Sequence, residues 1–148
     1  MRIQAHICVL GLDMEWNVPK DLKGKIVGTC RKLAVIQIGY FDDEEKVTKV
    51  VIYHVYKCTN LPINLVNLLQ HERIKLTGCQ VGGDVSKIDR DFRNISLNKN
   101  IKAVNLTTMA LNRGVSLTGK GLDAVSMAVL GLSVPEKTYV YQIRRTQN

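Results

Sequence analysis

Ile7-Cys8-Val9-Leu10-Gly11-Leu12-Asp13-Met14-Glu15-Trp16 is the stretch on which the fold reading turns. Ile7 to Leu12 is continuously apolar up to the first acid and reads as a strand. Side chains alternate along a strand, so Asp13 and Glu15 share one face, roughly 7 Å apart, while Leu12, Met14 and Trp16 take the other. Two carboxylates on one face of a buried strand repel each other and are costly to desolvate. A hard divalent cation such as Mg²⁺, which binds carboxylate oxygens, would compensate them. Taken alone, the triplet is better read as a solvated loop after a strand that stops at Leu12. The rest of the chain shifts that weighting.

Working outward, Pro19, Gly24 and Gly28 interrupt a basic loop, and Leu33 to Phe41 forms a second strand. That strand is apolar on both faces, as in the centre of a covered sheet. The acid run Asp42 to Glu45 is a solvated hairpin loop, and Val47 to Tyr56 a third strand. The three strands suggest an antiparallel meander. A helix follows, with Asn60 as its cap, Pro62 in its first turn and Leu61, Leu65, Leu68 and Leu69 at helical spacing to about His71. Ile74 to Gln80 is a fourth, short strand. It runs into Gly82-Gly83-Asp84, after which Val85, Ile88 and Phe92 share a helical face. Asp84 thus falls at a strand-to-helix junction, where in isolation it reads as an N-cap. Ile95 to Asn105 reads as loop and Val104 to Asn112 as a short helix. Ser116-Leu117-Thr118 opens a last helix with Leu122, Val125, Val129 and Leu132 on one face and Gly131 near its end.

The 148 residues suit one compact domain, and 45% hydrophobic content supports a packed core. No apolar run is long enough to cross a membrane, and Met1 to His6 leads into a strand without signal-peptide features, so an intracellular protein, nuclear or cytoplasmic, is expected. Cys8, Cys30, Cys58 and Cys79 form no C-x-x-C pair and read as reduced core thiols. His6, His54 and His71 are scattered and do not suggest zinc. A net charge of +8 attracts polyanions, of which nucleic acid is the commonest. The basic residues are spread along the chain, which fits a positive groove better than a disordered arm.

The order strand, strand, strand, helix, strand, helix, helix is that of an α/β, ribonuclease-H-like mixed sheet. Its antiparallel meander is joined by a parallel strand and flanked by helices, bringing Asp84 toward Asp13 and Glu15. Leu10-Gly-Leu-Asp-Met-Glu-Trp16, followed by Lys32-Leu-Ala-Val-Ile-Gln-Ile-Gly39, resembles the first motif and second strand of Werner-type 3′–5′ exonucleases of the DEDD superfamily. Gly82-Gly-Asp-Val-Ser-Lys-Ile-Asp-Arg-Asp-Phe92 is similar to their second motif. Ser116-Leu117, Leu122, Val129-Leu130-Gly131 and Lys137 resemble the family's next helix. The resemblance implies a single exonuclease-like domain over residues 1–148, with its core at about 7–137. It implies hydrolysis of phosphodiesters at the 3′ ends of DNA or RNA by two Mg²⁺ or Mn²⁺ ions. Asp13, Glu15 and Asp84 would be the catalytic and metal-binding residues. Met14 and Trp16 would lie beside the terminal nucleotide or pack behind the strand, with packing favoured. The family's third motif, Tyr-x-x-x-Asp on a final helix, has no counterpart: Tyr139 is followed at that spacing by Ile143, and Tyr141 by Arg145. Asp89, Asp91 and Asp123 read as solvated helix acids. Loss of that helix would expose apolar surface on the sheet. An active domain with an incomplete C-terminus, an inactive module that binds nucleic acid or a protein partner, and an oligomer whose partner chain completes the site are the three expectations.

Overall fold

The computed structural model describes residues 7–17, 21–23, 25–27 and 32–135. Five strands form one mixed sheet in the order β3-β2-β1-β4-β5. β1 (Cys8–Trp16), β2 (Leu33–Asp42) and β3 (Val47–His54) are the antiparallel meander, while β4 (Ile74–Gly78) and β5 (Ala103–Asn105) run parallel to β1. The Asp42–Glu45 hairpin loop is solvent-facing, and Lys49 ties it down through Asp42 (2.8 Å) and Glu45 (2.7 Å). β5 is a strand that the sequence reads as loop. It has only Ala-Val-Asn, and its pairing with Leu76, Thr77 and Gly78 creates it, not its own propensity.

Helices α1 (Ile63–Gln70) and α2 (Val81–Asp91) cover one face of the sheet. Leu10, Leu12 and Met14 from β1 bury there with Ile36, Ile38 and Leu76, against Leu65 and Leu69 of α1 and Val81, Val85 and Ile88 of α2. The helix start at α1 departs from expectation. Pro62 is the N-cap and makes no side-chain cap bond, so Asn60 does not cap it. Asn94 instead pins the entry, accepting from Leu61 N–H (3.0 Å) and donating to Leu61 C=O (2.9 Å). At the other end, the Lys102 ammonium is buried and donates to the carbonyls of Gln70 (3.2 Å), His71 and Ile74 (3.4 Å). A cation on the last carbonyls satisfies them and complements the helix dipole.

Short α3 (Lys99–Lys102) precedes β5, and α4 (Leu106–Asn112) and α5 (Leu122–Leu130) follow it. α5 begins at Leu122 with Gly121 as N-cap, several residues after Ser116, because Gly119 and Gly121 disfavour an earlier turn. Gly131 closes it in the left-handed conformation, as its position suggests. Of the apolar face read for this helix, Val125 alone is buried; Leu122, Val129 and Leu132 are exposed.

The second face of the sheet carries Val9, Asp13, Glu15, Val35, Gln37, Val50 and Ile52. Val9, Val50 and Ile52 are 55–57% exposed, so β2 is not sandwiched on both sides among the described residues. Of the described cysteines, Cys58 packs against the core and the others do not follow the core reading. Cys8 is exposed, Cys58 and Cys79 are half-buried, and Cys30 lies outside the described residues, as do Tyr139, Tyr141 and Lys137. Among the described residues, no helix is long and apolar enough to cross a membrane.

Candidate active site

β1 presents its acids as the alternation requires. Asp13 lies across from Gln37 and Glu15 across from Val35, both on the face away from the α1/α2 core. Met14, between them, is turned into that core, so it packs and does not line the acid face. Just after Glu15 the register slips, and Trp16 pairs with Leu33, skipping Ala34. Such a bulge re-aims the side chain beside it. Trp16 remains 38% exposed.

Asp84 reaches the same end of the sheet by a different route. β4 stops at Gly78, where a Cβ would stand 2.7 Å from the Leu12 carbonyl oxygen. Only glycine permits that approach, and it brings the chain leaving β4 alongside the Leu12–Asp13 step. Gln80 then adopts a left-handed conformation (φ 62°) and caps α2, so the helix starts at Val81. Asp84 therefore sits within the first turn, four residues past the N-cap Gln80, and is not the N-cap that its spacing suggested. Burial, reinforced by the charge of Asp13, pushes the Asp84 carboxyl up to about 6.

The other acids of α2 are structural. Asp91 Oδ2 accepts from the Leu33 N–H (2.8 Å) and pairs with Lys87; both side chains are about 10% exposed. Burial opposes its charge, but Lys87 and the Leu33 amide outweigh burial and hold the Asp91 carboxyl below the usual range. Asp89 Oδ1 accepts from the Leu97 N–H (2.6 Å). Neither is a merely solvated helix acid, because each secures a neighbouring segment. Asp123 is exposed and accepts from the Val134 N–H (2.8 Å).

An open cavity of about 1110 Å³ flanks Asp84, walled by Trp16, Lys32, Gly82, Gly83, Lys87 and Arg90 among others. The basic members of this wall are not singled out by sequence pattern alone. For Lys87 the signal is helical spacing: Asp84, Lys87 and Asp91 fall at i, i+3 and i+7, on the flank of the α2 face that buries Val85 and Ile88. Among the described residues, no three His, Cys, Asp or Glu side chains converge tightly enough to hold a metal ion. The observed convergence is the pair Asp13 and Asp84. Its donor type, carboxylate oxygen held against like charge, suits a hard divalent cation.

No known family profile and no curated protein matches the sequence. The fold does match solved structures. Brucella melitensis NrnC bound to pGG is similar with a TM-score of 0.60 at 17% identity, over 89% of this chain and 57% of that one. NrnC with bound Mg²⁺ is similar with a TM-score of 0.63 at 15% identity, over 93% and 60%. The EXD2 exonuclease domain soaked in Mn and GMP gives 0.50 at 19% identity, over 90% and 62%. The chain thus spans less than two thirds of each of these structures. With its meander, parallel β4 and β5, and α2 crossing beside β1, the chain has a ribonuclease-H-like fold, the fold it shares with these nuclease structures.

Proposed function

We propose that the chain is a 3′–5′ exonuclease domain, with residues 7–137 as its core, that hydrolyses the terminal phosphodiester of DNA or RNA at a divalent-metal site. The observation that carries this reading is Asp84 set beside Asp13 at the edge of a basic-walled cavity, where burial, reinforced by the Asp13 charge, raises the Asp84 carboxyl to about 6. Fixed like charges of this kind are common at functional sites. Asp13, Glu15 and Asp84 would hold Mg²⁺ or Mn²⁺. Ions held there would offset phosphate charge and lower the pKa of the attacking water. Asp13 and Glu15 are presented from a rigid strand and Asp84 from a helix anchored at both ends, so the donors need little reorganisation.

A second reading is a non-catalytic module that binds nucleic acid through the same cavity. It is favoured by the lack of a converged third carboxylate among the described residues. The two separate in one assay. Single-stranded and 3′-recessed DNA and RNA, labelled at the 5′ end, are incubated with Mg²⁺ or Mn²⁺. The nuclease reading expects a ladder shortening from the 3′ end, abolished in an Asp13→Ala/Glu15→Ala variant. Salt-sensitive binding without a ladder supports the module and rejects hydrolysis.

A further inference from the structure

We infer that the outer edge of β3 is a self-association surface, across which a second copy of this chain pairs antiparallel about a two-fold axis and continues the sheet. The surface is independent of the nuclease reading, since β2 separates it from the strand that carries Asp13. Among the described residues, no strand lies beyond β3. One bond tells which of its backbone groups face outward. The Val55 N–H donates to the Ala34 carbonyl (2.8 Å), at the next step of the β2–β3 register. Bonding alternates along an antiparallel pair, so Val47, Lys49, Val51 and Tyr53 turn their N–H and C=O groups toward β2. Thr48, Val50, Ile52 and His54 turn theirs to the open edge.

Such an edge is a template for another strand unless something blunts it. β3 has no proline, and its register with β2 runs without a bulge from Val47 to His54. Its one lysine, Lys49, is drawn away to Asp42 and Glu45. Val47, Val50, Val51 and Ile52 are all exposed.

Charge selects a second copy as the occupant. The turn end of β3 carries Asp42, Asp43, Glu44 and Glu45 against Lys46 and Lys49, and the far end carries His54 and Lys57. An antiparallel copy sets each acidic end beside the other's basic end, whereas a parallel copy sets like beside like. One register matches every outward residue: Thr48 with His54 of the second copy, and Val50 with its Ile52. It places Val51 against Val51 at the two-fold and Glu45 near Lys57. A longer slip loses a pair, because Lys46 lies in the turn (φ 56°) and β3 ends at His54. A two-fold through this edge stands perpendicular to the sheet, so the faces bearing Asp13 point the same way in both copies. The two β1 strands would stand roughly 24 Å apart.

Strand-edge pairing buries less area than a standard stable interface, so a dimer in the micromolar range is expected. Sedimentation equilibrium of the full chain, from about 1 to 200 μM, should show monomer and dimer in exchange. Val50→Pro removes an outward N–H, leaves the bonds to β2 in place, and should weaken the dimer at least about tenfold. Ile52→Lys sets a charge on the same edge and serves where the proline disturbs folding. Lys57→Glu should weaken the dimer about threefold, and adding Glu45→Lys in the same chain should restore it. Under mild oxidation Val51→Cys should link two copies through the substituted position, because directly opposed residues without mutual hydrogen bonds stand within disulfide reach. Val50→Cys, which faces Ile52, should link far more slowly. A chain that stays monomeric throughout overturns the inference, whether the edge is empty or held by another segment of the same chain. A dimer that neither Val50→Pro nor Ile52→Lys weakens has its interface elsewhere and overturns it too, and equal linking at positions 50 and 51 overturns the register.

Discussion

Replacing Asp84 by Asn should stabilise the metal-free protein at neutral pH. The folded state holds the Asp84 proton to about 6, against a reference of 3.8 in the unfolded chain. Between these values the folded state binds more protons than the unfolded one, so stability falls as pH rises through that window and levels off above it. The difference amounts to about 3 kcal/mol at full ionisation, and partial solvent access reduces it to about 1–2 kcal/mol. For a chain of this size that is roughly 2–8 °C in Tm. Asn is nearly isosteric and uncharged, so it removes both the desolvation of a charge and the repulsion from Asp13.

The assay is urea or thermal unfolding in EDTA at intervals from pH 4 to 7.5, for wild type and Asp84→Asn. The difference between the two curves isolates Asp84. Asp91, whose carboxyl is held low, contributes stability that is lost as pH falls below about 3.8, equally in both proteins. The expected difference is near zero at pH 4 and favours the variant by about 1–2 kcal/mol at pH 7. Mg²⁺ should stabilise wild type more than the variant, because a cation relieves the repulsion only where the charge exists. Equal stability at pH 7, or a variant less stable than wild type there, would refute the argument that Asp84 is held against Asp13.

Gly78→Ala should destabilise the fold by about 1–3 kcal/mol, since its Cβ would collide with the Leu12 carbonyl at 2.7 Å; chemical denaturation measures it. Asp91→Ala should lose about 2–4 kcal/mol by stranding Lys87 and the Leu33 N–H, and Asp91→Asn should recover part of it, both read by the urea midpoint. Lys102→Met should lower stability by about 1.5–3 kcal/mol by uncapping α1, with hydrogen exchange of the last α1 turn as the local readout.

The meander and the β4–α2 junction are legible because each strand is a sustained apolar run bounded by turn residues. That Asp13 and Glu15 share a face follows from period two once the rest of the chain places them on the strand. What stays hidden in the sequence is set by partners distant along the chain. Ala103-Val104-Asn105 becomes a strand only because β4 offers it an edge. Asp91 looks like any solvent-facing helix acid until Leu33, 58 residues away, donates to it. The displaced start of α2 depends on Gln80 taking a left-handed conformation, which glutamine rarely does and which composition does not announce. The apolar spacing in α5 suggests a buried stripe, but spacing cannot say whether another element covers it, and Leu122, Val129 and Leu132 lie open.

The anchoring of α2 explains why the Asp84 charge is strained at all. A carboxylate in the first turn of a helix is ordinarily favoured by the helix dipole and free to lean into water. Here the helix cannot shift to let it. Its start is fixed by the close approach of Gly78 to β1, and its buried face by Val81, Val85 and Ile88. Its end is tied to β2 through Asp91 on Leu33 and through Phe92 in the core. β1, which carries Asp13, lies between those two anchors in the sheet. Sliding Asp84 away from Asp13 would disturb one anchor or the other. The strain is therefore built into how the helix bridges the sheet. It also makes Asp91, seven residues further along α2, the residue whose loss should relax Asp84: in Asp91→Ala the Asp84 carboxyl should move back toward 3.8, measurable by NMR titration.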